Sequence, residues 1–134
     1  MNQKQIPTDV LKYELRKMQI KLAEESRSSF TTFVKKVWPE FIAGSHHKII
    51  AKKFEAISRG KIKRLIVNMP PRHTKSEFAS HLFPAWMMGQ KPKLKIIQTT
   101  HTAELSYNFG RKVRNLFDQQ DFKDVYPNGS LSQD

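Results

Sequence analysis

Lys75 and Ser76 are the residues of this chain whose types and spacing point most directly to chemistry. They follow a proline-rich turn, residues 68–74, and stand at the predicted start of a helix; the apolar run Leu65-Ile66-Val67 precedes the turn. The order of strand, loop, Lys-Ser and helix is that of phosphate-binding P-loops. There, backbone amides and the helix dipole attract phosphate oxygens, the lysine reaches the outer phosphates and the hydroxyl coordinates Mg²⁺. The spacing therefore predicts a nucleotide site with Lys75 on the phosphates and Ser76 on the metal.

The turn departs from the P-loop pattern at its two glycine positions. Thr74 stands where glycine is expected before the lysine, and Met69 stands where the earlier glycine is expected. Glycine reaches positive φ without strain, whereas a β-branched threonine does so poorly. A strand-to-helix turn that ends in Lys-Ser by chance is the alternative interpretation of this segment.

A longer motif surrounds these two residues. The segment 68–77 is followed by the sequence Phe83-Pro84-Ala85-Trp86. Together, residues 62–90 resemble the start of the ATPase motor of phage large terminase subunits, the enzymes that package viral DNA into procapsids. A weaker resemblance extends over residues 30–127. The motif itself is Asn68-Met69-Pro70-Pro71-Arg72-His73-Thr74-Lys75-Ser76-Glu77.

The resemblance implies roles for the residues of the motif. ATP and Mg²⁺ would be the ligands, with Arg72 and Lys75 as the catalytic residues that act on the phosphates and Ser76 holding the metal. Thr74 replaces the family's usual glycine. The implied cofactor-binding residues are Pro70, Pro71, Arg72, His73, Thr74, Lys75, Ser76 and Glu77.

The resemblance also implies where the adenine would lie. In this family and in related motors the adenine contacts residues that precede the loop, which here are Trp38, Phe41 and His46 or His47. Aromatic stacking is the physical means. Ordinary core packing of the same side chains is the alternative.

In the family as a whole, the full-length enzyme is an ATP-driven DNA translocase and endonuclease. The implied partners are double-stranded DNA, the portal protein and the small terminase subunit, in a homo-oligomeric ring. The implied location is the portal vertex of the procapsid in the host cell cytoplasm. An ATPase also needs an acid at the end of a later apolar strand, and none of the acids after the loop follows one. We therefore expect part of a nucleotide pocket, without the Walker B and nuclease acids.

The charge of the chain is strongly positive and uneven. The formal net charge is +12, and residues 46–75 contain nine Lys or Arg and one acid, Glu55. Such a block favours contact with a polyanion. A non-catalytic basic module that binds nucleic acid is therefore the alternative function, and another P-loop ATPase such as a helicase is a weaker one.

Composition narrows the remaining classes of protein. Cysteine is absent, so disulfides, thiolate metal sites and a cysteine nucleophile are excluded. No apolar run approaches the length of a membrane span. The first residues lack the apolar core of a signal peptide.

Apolar periodicity predicts the elements that would position the motif. Leu11, Leu15, Met18 and Leu22 form one stripe on the first helix. Proline and glycine mark most of the helix ends. The predicted helices span residues 9–25, 29–38, 46–58, 76–88 and 103–119, and the predicted strands span Leu65–Val67 and Leu94–Gln98.

This order predicts an α/β fold in which N-terminal helices precede the first βαβα part of a parallel P-loop sheet. Two strands do not close such a sheet. We therefore expect an incomplete sheet in the front portion of a larger protein. The predicted units are an N-terminal helical segment, 1–28, a partial ATPase domain, 29–127, and a disordered tail, 128–134.

Overall fold

The computed structural model describes residues 7–129, and these residues fold as a helical protein. A π-helical segment, Glu77–Leu82, lies between the third and fourth α-helices. The α-helices are α1 Thr8–Ser28, α2 Phe30–Val37, α3 Ser45–Ser58, α4 Phe83–Gln90, α5 Ala103–Asp118 and α6 Gln120–Val125.

The core is an aromatic cluster centred on Phe30, the first residue of α2. Its ring makes edge-to-face contacts with Phe54 of α3 at 5.5 Å, Phe78 of the π-helical segment at 5.4 Å and Trp86 of α4 at 5.4 Å between ring centroids. Edge-to-face geometry is the favoured arrangement of aromatic pairs. Phe30 therefore joins three elements, and its side chain is fully buried.

Helix α1 joins this body only near its C-terminal end. Trp86 Nε1 donates to the Ser26 carbonyl at 2.9 Å, and Arg27 Nε donates to the Val125 carbonyl at 2.7 Å. Ala23 and Ser26 are the buried residues of the helix. The preceding turns of α1 are exposed, so the predicted apolar stripe is not part of the core.

The predicted α/β fold is wrong, because residues 7–129 contain no strand and no sheet. Ile66 and Ile96, the central residues of the two predicted strands, are 86% and 40% exposed, and Ile97 is 91% exposed. Leu65 and Val67 alternate with exposed neighbours and are half-buried against the helical core. A strand buried on both faces needs pairing neighbours and covering layers. The aromatic residues of the helices form most of the core, and both segments are irregular chain, of which Leu65 and Val67 pack against the core in part.

The helix predictions fare better than the strand predictions. Ser29 caps α2 by accepting from the Thr32 amide at 3.3 Å, and Gly60 follows α3 with a φ of 72°, as expected of a left-handed helix terminator. Of the predicted tail, residues 130–134 lie outside the described residues. No helix within residues 7–129 has the length and apolar character needed to cross a membrane.

Helix α6 was not predicted. Its six residues contain two buried apolar side chains, Phe122 and Val125. Lys36 of α2 binds its acidic residues, with Nζ 2.8 Å from Asp121 and 3.4 Å from Asp124. The hydrogen bond to Asp121 raises the pKa of Lys36, although burial opposes the shift. Because this contact spans 85 residues of sequence, local periodicity gives no indication of it.

The predicted helix after the turn is interrupted as its proline requires. Pro84 has no backbone N–H to donate to a preceding carbonyl. The chain forms the wider π-helical turns over Glu77–Leu82 and resumes as α4 with Pro84 in its first turn, where the missing donor costs least. π-Helical turns are frequent next to functional sites, and this one begins immediately after Ser76.

Candidate phosphate-binding site

The turn before Lys75 has backbone dihedral angles that are ordinarily found at glycine. Arg72 has a φ of 65° and Thr74 a φ of 57°, and these are the positive-φ residues other than glycine within 7–129. Helical structure begins at Lys75, and the Phe78 amide donates to the Thr74 carbonyl at 2.9 Å. The amides at the start of a helix have no intrahelical acceptor, and the helix dipole makes this end positive. The turn therefore leads into a backbone donor group suited to an anion.

A buried histidine holds Thr74 in this conformation. The Gly44 amide donates to His47 Nδ1 at 3.0 Å, so that nitrogen is an acceptor and His47 Nε2 carries the proton. His47 Nε2 lies 2.6 Å from Thr74 Oγ1, which in turn donates to the His73 carbonyl at 2.7 Å. This chain of hydrogen bonds requires a neutral His47 as donor to the threonine hydroxyl. It connects the start of α3 to the turn.

Two further histidines surround His47. The His46 and His47 rings are 3.8 Å apart between centroids, and the His46 and His73 rings are 5.8 Å apart. Burial, together with the neighbouring His46 and His73, lowers the pKa of His47 below its ordinary value. The shift agrees with the neutral state that the Gly44 contact requires.

The two cations of the motif have no acidic partner within residues 7–129. Arg72 is exposed and Lys75 half-buried, and neither forms an ion pair with the described acids. Unpaired cations beside a helix N-terminus attract phosphate. The motif residues open to solvent with Arg72 are Asn68, Pro70, Pro71, His73 and Ser76.

The Glu77 carboxylate, by contrast, is already hydrogen-bonded to two other side chains. Its carboxylate accepts hydrogen bonds from Lys112 of α5 and from His81 Nδ1, the latter at 3.0 Å. Burial alone would raise the pKa of Glu77, but these two hydrogen bonds outweigh burial and lower it. The ionised Glu77 thus ties the π-helical segment to α5, with its charge compensated by Lys112.

The predicted adenine contacts are mostly core residues. Phe41 and His47 are buried, their rings lie 4.8 Å apart, and both pack against Phe78. Trp38 is half-buried against Phe41 at 5.4 Å. Core packing, the alternative interpretation, therefore describes Phe41 and His47. His46 is only half-buried and lies at the surface next to the turn.

An apolar groove of about 290 Å³ lies beside the turn. It runs between α3 and the irregular segment 65–69, and no sequence pattern indicated it. Its apolar lining includes Ile49, which is 61% exposed, while His46 and Lys53 supply polar groups. The groove is completed by Ile50, Leu65, Ile66, Val67, Asn68 and Met69.

The residues of the site can hold a Mg²⁺ ion that is also bound to phosphate. The side chains described do not by themselves form a complete metal site. Within residues 7–129, no group of three or more His, Asp or Glu side chains is arranged to hold a metal. Mg²⁺ commonly takes one or two protein ligands and completes its shell with phosphates and water. The exposed Ser76 hydroxyl is a fitting single ligand, while the Glu77 carboxylate is occupied by Lys112 and His81.

Sequence reasoning missed the part played by His47. The sequence separation between His47 and Thr74 is 27 residues, so no local spacing connects them. The β-branched residue at the glycine position was the one available signal, since a strained threonine needs a compensating contact.

Comparison of the chain with protein-family models, with curated proteins and with solved structures found no match. Function is therefore inferred from the residues of the site, their geometry and the motif resemblance.

Proposed function

We propose that the turn and the helix start at residues 68–77 bind the phosphate groups of ATP together with Mg²⁺. The observation that supports this most directly is the left-handed backbone at Thr74, immediately before the helix that begins at Lys75. The turn adopts a conformation suited to glycine at the position where the motif calls for glycine. Phosphate recognition by backbone amides depends on that conformation rather than on the side chain.

Four residues of the motif have roles in this proposal. Lys75 and Arg72 neutralise phosphate oxygens, and Ser76 supplies a hydroxyl to Mg²⁺. Thr74, held by His47, fixes the turn. Bound ATP would bring Mg²⁺ with it and thereby complete the metal's ligand shell. The function proposed is binding, and hydrolysis is assigned to no residue of this chain.

The groove between α3 and residues 65–69 is a candidate binding site for the adenine base of ATP. It lies beside the turn, and an apolar concavity with a few polar groups is the usual environment of a bound ring system. His46 belongs both to the groove and to the histidine cluster next to the turn. We therefore place the adenine against Ile49 and His46 rather than against the buried Phe41.

The biological setting is the part of the proposal that derives from the motif resemblance. In that setting the chain is the N-terminal part of a viral terminase large subunit. It acts with double-stranded DNA, the portal protein and the small terminase subunit, in a ring at the portal vertex of procapsids in the host cytoplasm. Because residues 7–129 are helical, no parallel sheet supports this assignment. The support that remains is the turn for which we propose phosphate binding.

Thermal unfolding with and without Mg·ATP tests the proposal. A ligand at about one hundred times its Kd adds about 2.7 kcal/mol to the free energy of unfolding and raises Tm by several degrees. We expect that rise in the natural chain and its loss in Lys75→Ala. Lys123→Ala removes the same charge from an exposed site on α6 and should keep the rise. An equal rise in both variants, or none in the natural chain, would refute ATP binding at the turn.

A second candidate function has its own support in the exposed charges around α3. Lys48, Lys52, Lys53, Lys61, Lys63 and Arg64 are exposed, and none pairs with an acid of residues 7–129. Arg59 alone in this block contacts an acid, Glu55, at 3.8 Å. Such a surface is suited to the phosphates of nucleic acid.

Anisotropy titrations with duplex DNA at several salt concentrations distinguish the two functions. If the surface around α3 binds DNA, Lys52→Glu with Lys53→Glu lowers the affinity and flattens its dependence on salt. Lys12→Glu with Lys17→Glu, on α1, is the matched control. Because Lys53 also lines the groove, Lys48→Glu with Lys52→Glu is the α3 variant in which the ATP-dependent rise in Tm should be unchanged, so that the outcomes for ATP and for DNA can be separated.

A further inference from the structure

Helix α1 displays an apolar stripe that the other residues of the described range, 7–129, do not cover. Leu11, Leu15, Met18 and Leu22 are 50%, 50%, 66% and 39% exposed. Single exposed apolar residues are ordinary, but four large ones that share one face of a helix indicate a contact surface. We call these four residues the α1 seam.

The spacing of the α1 seam is that of a coiled coil. Its residues are separated by four, three and four positions, which places them at alternating a and d positions of a heptad repeat. At 100° per residue the seam faces about 110° away from Ala23 and about 50° away from Ser26, the two buried residues of α1, and both of them follow the last seam residue, Leu22. A second helix can therefore lie along the seam without displacing the contacts that hold α1.

We propose that the α1 seam is the docking surface for a second copy of this chain, with the two α1 helices antiparallel. The seam is nearly symmetric about its centre, so antiparallel pairing sets Leu15 against Met18, and Leu11 against Leu22, of the second copy. A residue pair and its reciprocal then form twice, as a two-fold interface requires.

The flanking charges select the antiparallel orientation. Glu14 and Lys21 both occupy g positions, on the flank of the seam that faces away from the body. Antiparallel pairing brings Glu14 opposite Lys21 of the second copy, and does so twice. Parallel pairing would set Glu14 opposite Gln19 and Lys21 opposite Ser26, with no ion pair. Lys21 also lies 4.0 Å from Glu25 of its own helix, an exposed contact that contributes little.

Net charge favours the same orientation. Each chain carries +12, and its folded body is attached at the C-terminal end of α1. Parallel helices would bring two strongly basic bodies side by side. Antiparallel helices place them at opposite ends of a rod about 31 Å long, given 21 residues at 1.5 Å each. That separation exceeds the screening length at physiological salt.

Sedimentation equilibrium over a wide concentration range tests the dimer. We expect a reversible monomer–dimer equilibrium in which Met18→Lys raises Kd at least about tenfold, because a charge enters the apolar seam. Tyr13→Lys is the matched control, since Tyr13 is 67% exposed against 66% for Met18 but lies on the opposite side of α1. Circular dichroism confirms that both variants keep their helices. A natural chain that stays monomeric, or a dimer unaffected by Met18→Lys, overturns the proposal.

Two further measurements test the orientation. Glu14→Lys should raise Kd several-fold by opposing like charges, and its combination with Lys21→Glu should restore the dimer. Because the chain has no cysteine, Thr8→Cys provides a unique site for a spin label. The two label positions would be about 25 Å apart along the axis in the antiparallel dimer and about 10 Å apart in a parallel one. The short distance would overturn the antiparallel assignment.

Discussion

At the scale of single residues, the backbone conformation of Thr74 is locally unfavourable and is stabilised by a tertiary contact. A non-glycine residue held at positive φ costs on the order of 1–3 kcal/mol. The hydrogen bond from His47 to the Thr74 hydroxyl offsets part of that cost. The turn therefore keeps its shape through a contact made 27 residues away in sequence rather than through glycine.

Substitution at Thr74 separates the two effects. Thr74→Ala loses the hydroxyl and keeps the strain, whereas Thr74→Gly loses the hydroxyl and relieves the strain. We expect the glycine variant to exceed the alanine variant by about 1 kcal/mol in free energy of unfolding. We also expect the glycine variant to bind Mg·ATP more tightly than the natural chain, because without a Cβ the backbone can approach the phosphates more closely, and this gain outweighs the loss of the contact with His47. Denaturant unfolding and ATP titration measure these quantities, and weaker binding by Thr74→Gly would contradict the role of backbone strain in the turn.

His47 should make stability depend on pH. Its pKa is lowered in the folded protein, so the unfolded chain takes up the proton first, near an ordinary pKa of about 6.5. The contribution of His47 is complete above that value and is lost as the pH falls toward the folded pKa. His46 and His73 face the same ring, and their protonation adds repulsion. The free energy of unfolding should therefore begin to fall as the pH drops below about 6.5, above the range of most carboxylates.

Two variants assign that decrease to His47. His47→Gln should be less stable at neutral pH, since it breaks the link between Gly44 and Thr74, and should show a shallower decrease on acidification. His101→Gln removes an exposed histidine and should follow the natural chain. Equal slopes in His47→Gln and the natural chain would argue against a buried neutral His47.

At the scale of elements, the sequence was informative where structure is local and misleading where it is not. The period and the capping residues of α2, α3 and α5 are properties of adjacent residues, so those helices were predicted nearly to their ends. A strand depends on a partner elsewhere in the chain, and Leu65–Val67 and Leu94–Gln98 have none within residues 7–129. The helix start at Lys75 was predictable for the same local reason, whereas the support of Thr74 by His47 was not.

Two helical glycines form a matched pair for testing how closely the elements pack. A Cβ on Gly89 of α4 would lie 2.5 Å from the ring of Tyr126, which is itself buried. A Cβ on Gly110 of α5 would meet nothing within 4 Å. Gly89→Ala should therefore destabilise the protein by about 1–3 kcal/mol through overpacking. Gly110→Ala should stabilise it by about 0.5–1 kcal/mol through helix propensity. Equal effects in urea unfolding would contradict the packing of α4 on Tyr126.

At the scale of the whole molecule, stability depends on one aromatic core formed by the helices, against which Leu65 and Val67 pack only in part. Phe30 touches rings from α3, the π-helical segment and α4, while Ile66 and Ile97 face water. Removing a core phenylalanine side chain costs about 3–5 kcal/mol. That is a large part of the roughly 5–15 kcal/mol that stabilises a domain of this size.

The helical fold and a parallel sheet predict opposite results for the substitution of Ile66 and Ile97 by lysine. In the helical structure, Phe30→Ala removes the centre of the core and should unfold much of the protein at moderate temperature. Ile66→Lys with Ile97→Lys changes exposed side chains and should alter the free energy of unfolding by less than about 1 kcal/mol. In a parallel sheet, the same lysines would be buried charges and would prevent folding. Thermal unfolding followed by far-UV circular dichroism distinguishes the two. Loss of the folded state in the double lysine variant would show that Ile66 and Ile97 are buried and that the aromatic core of the helices is only part of the true core.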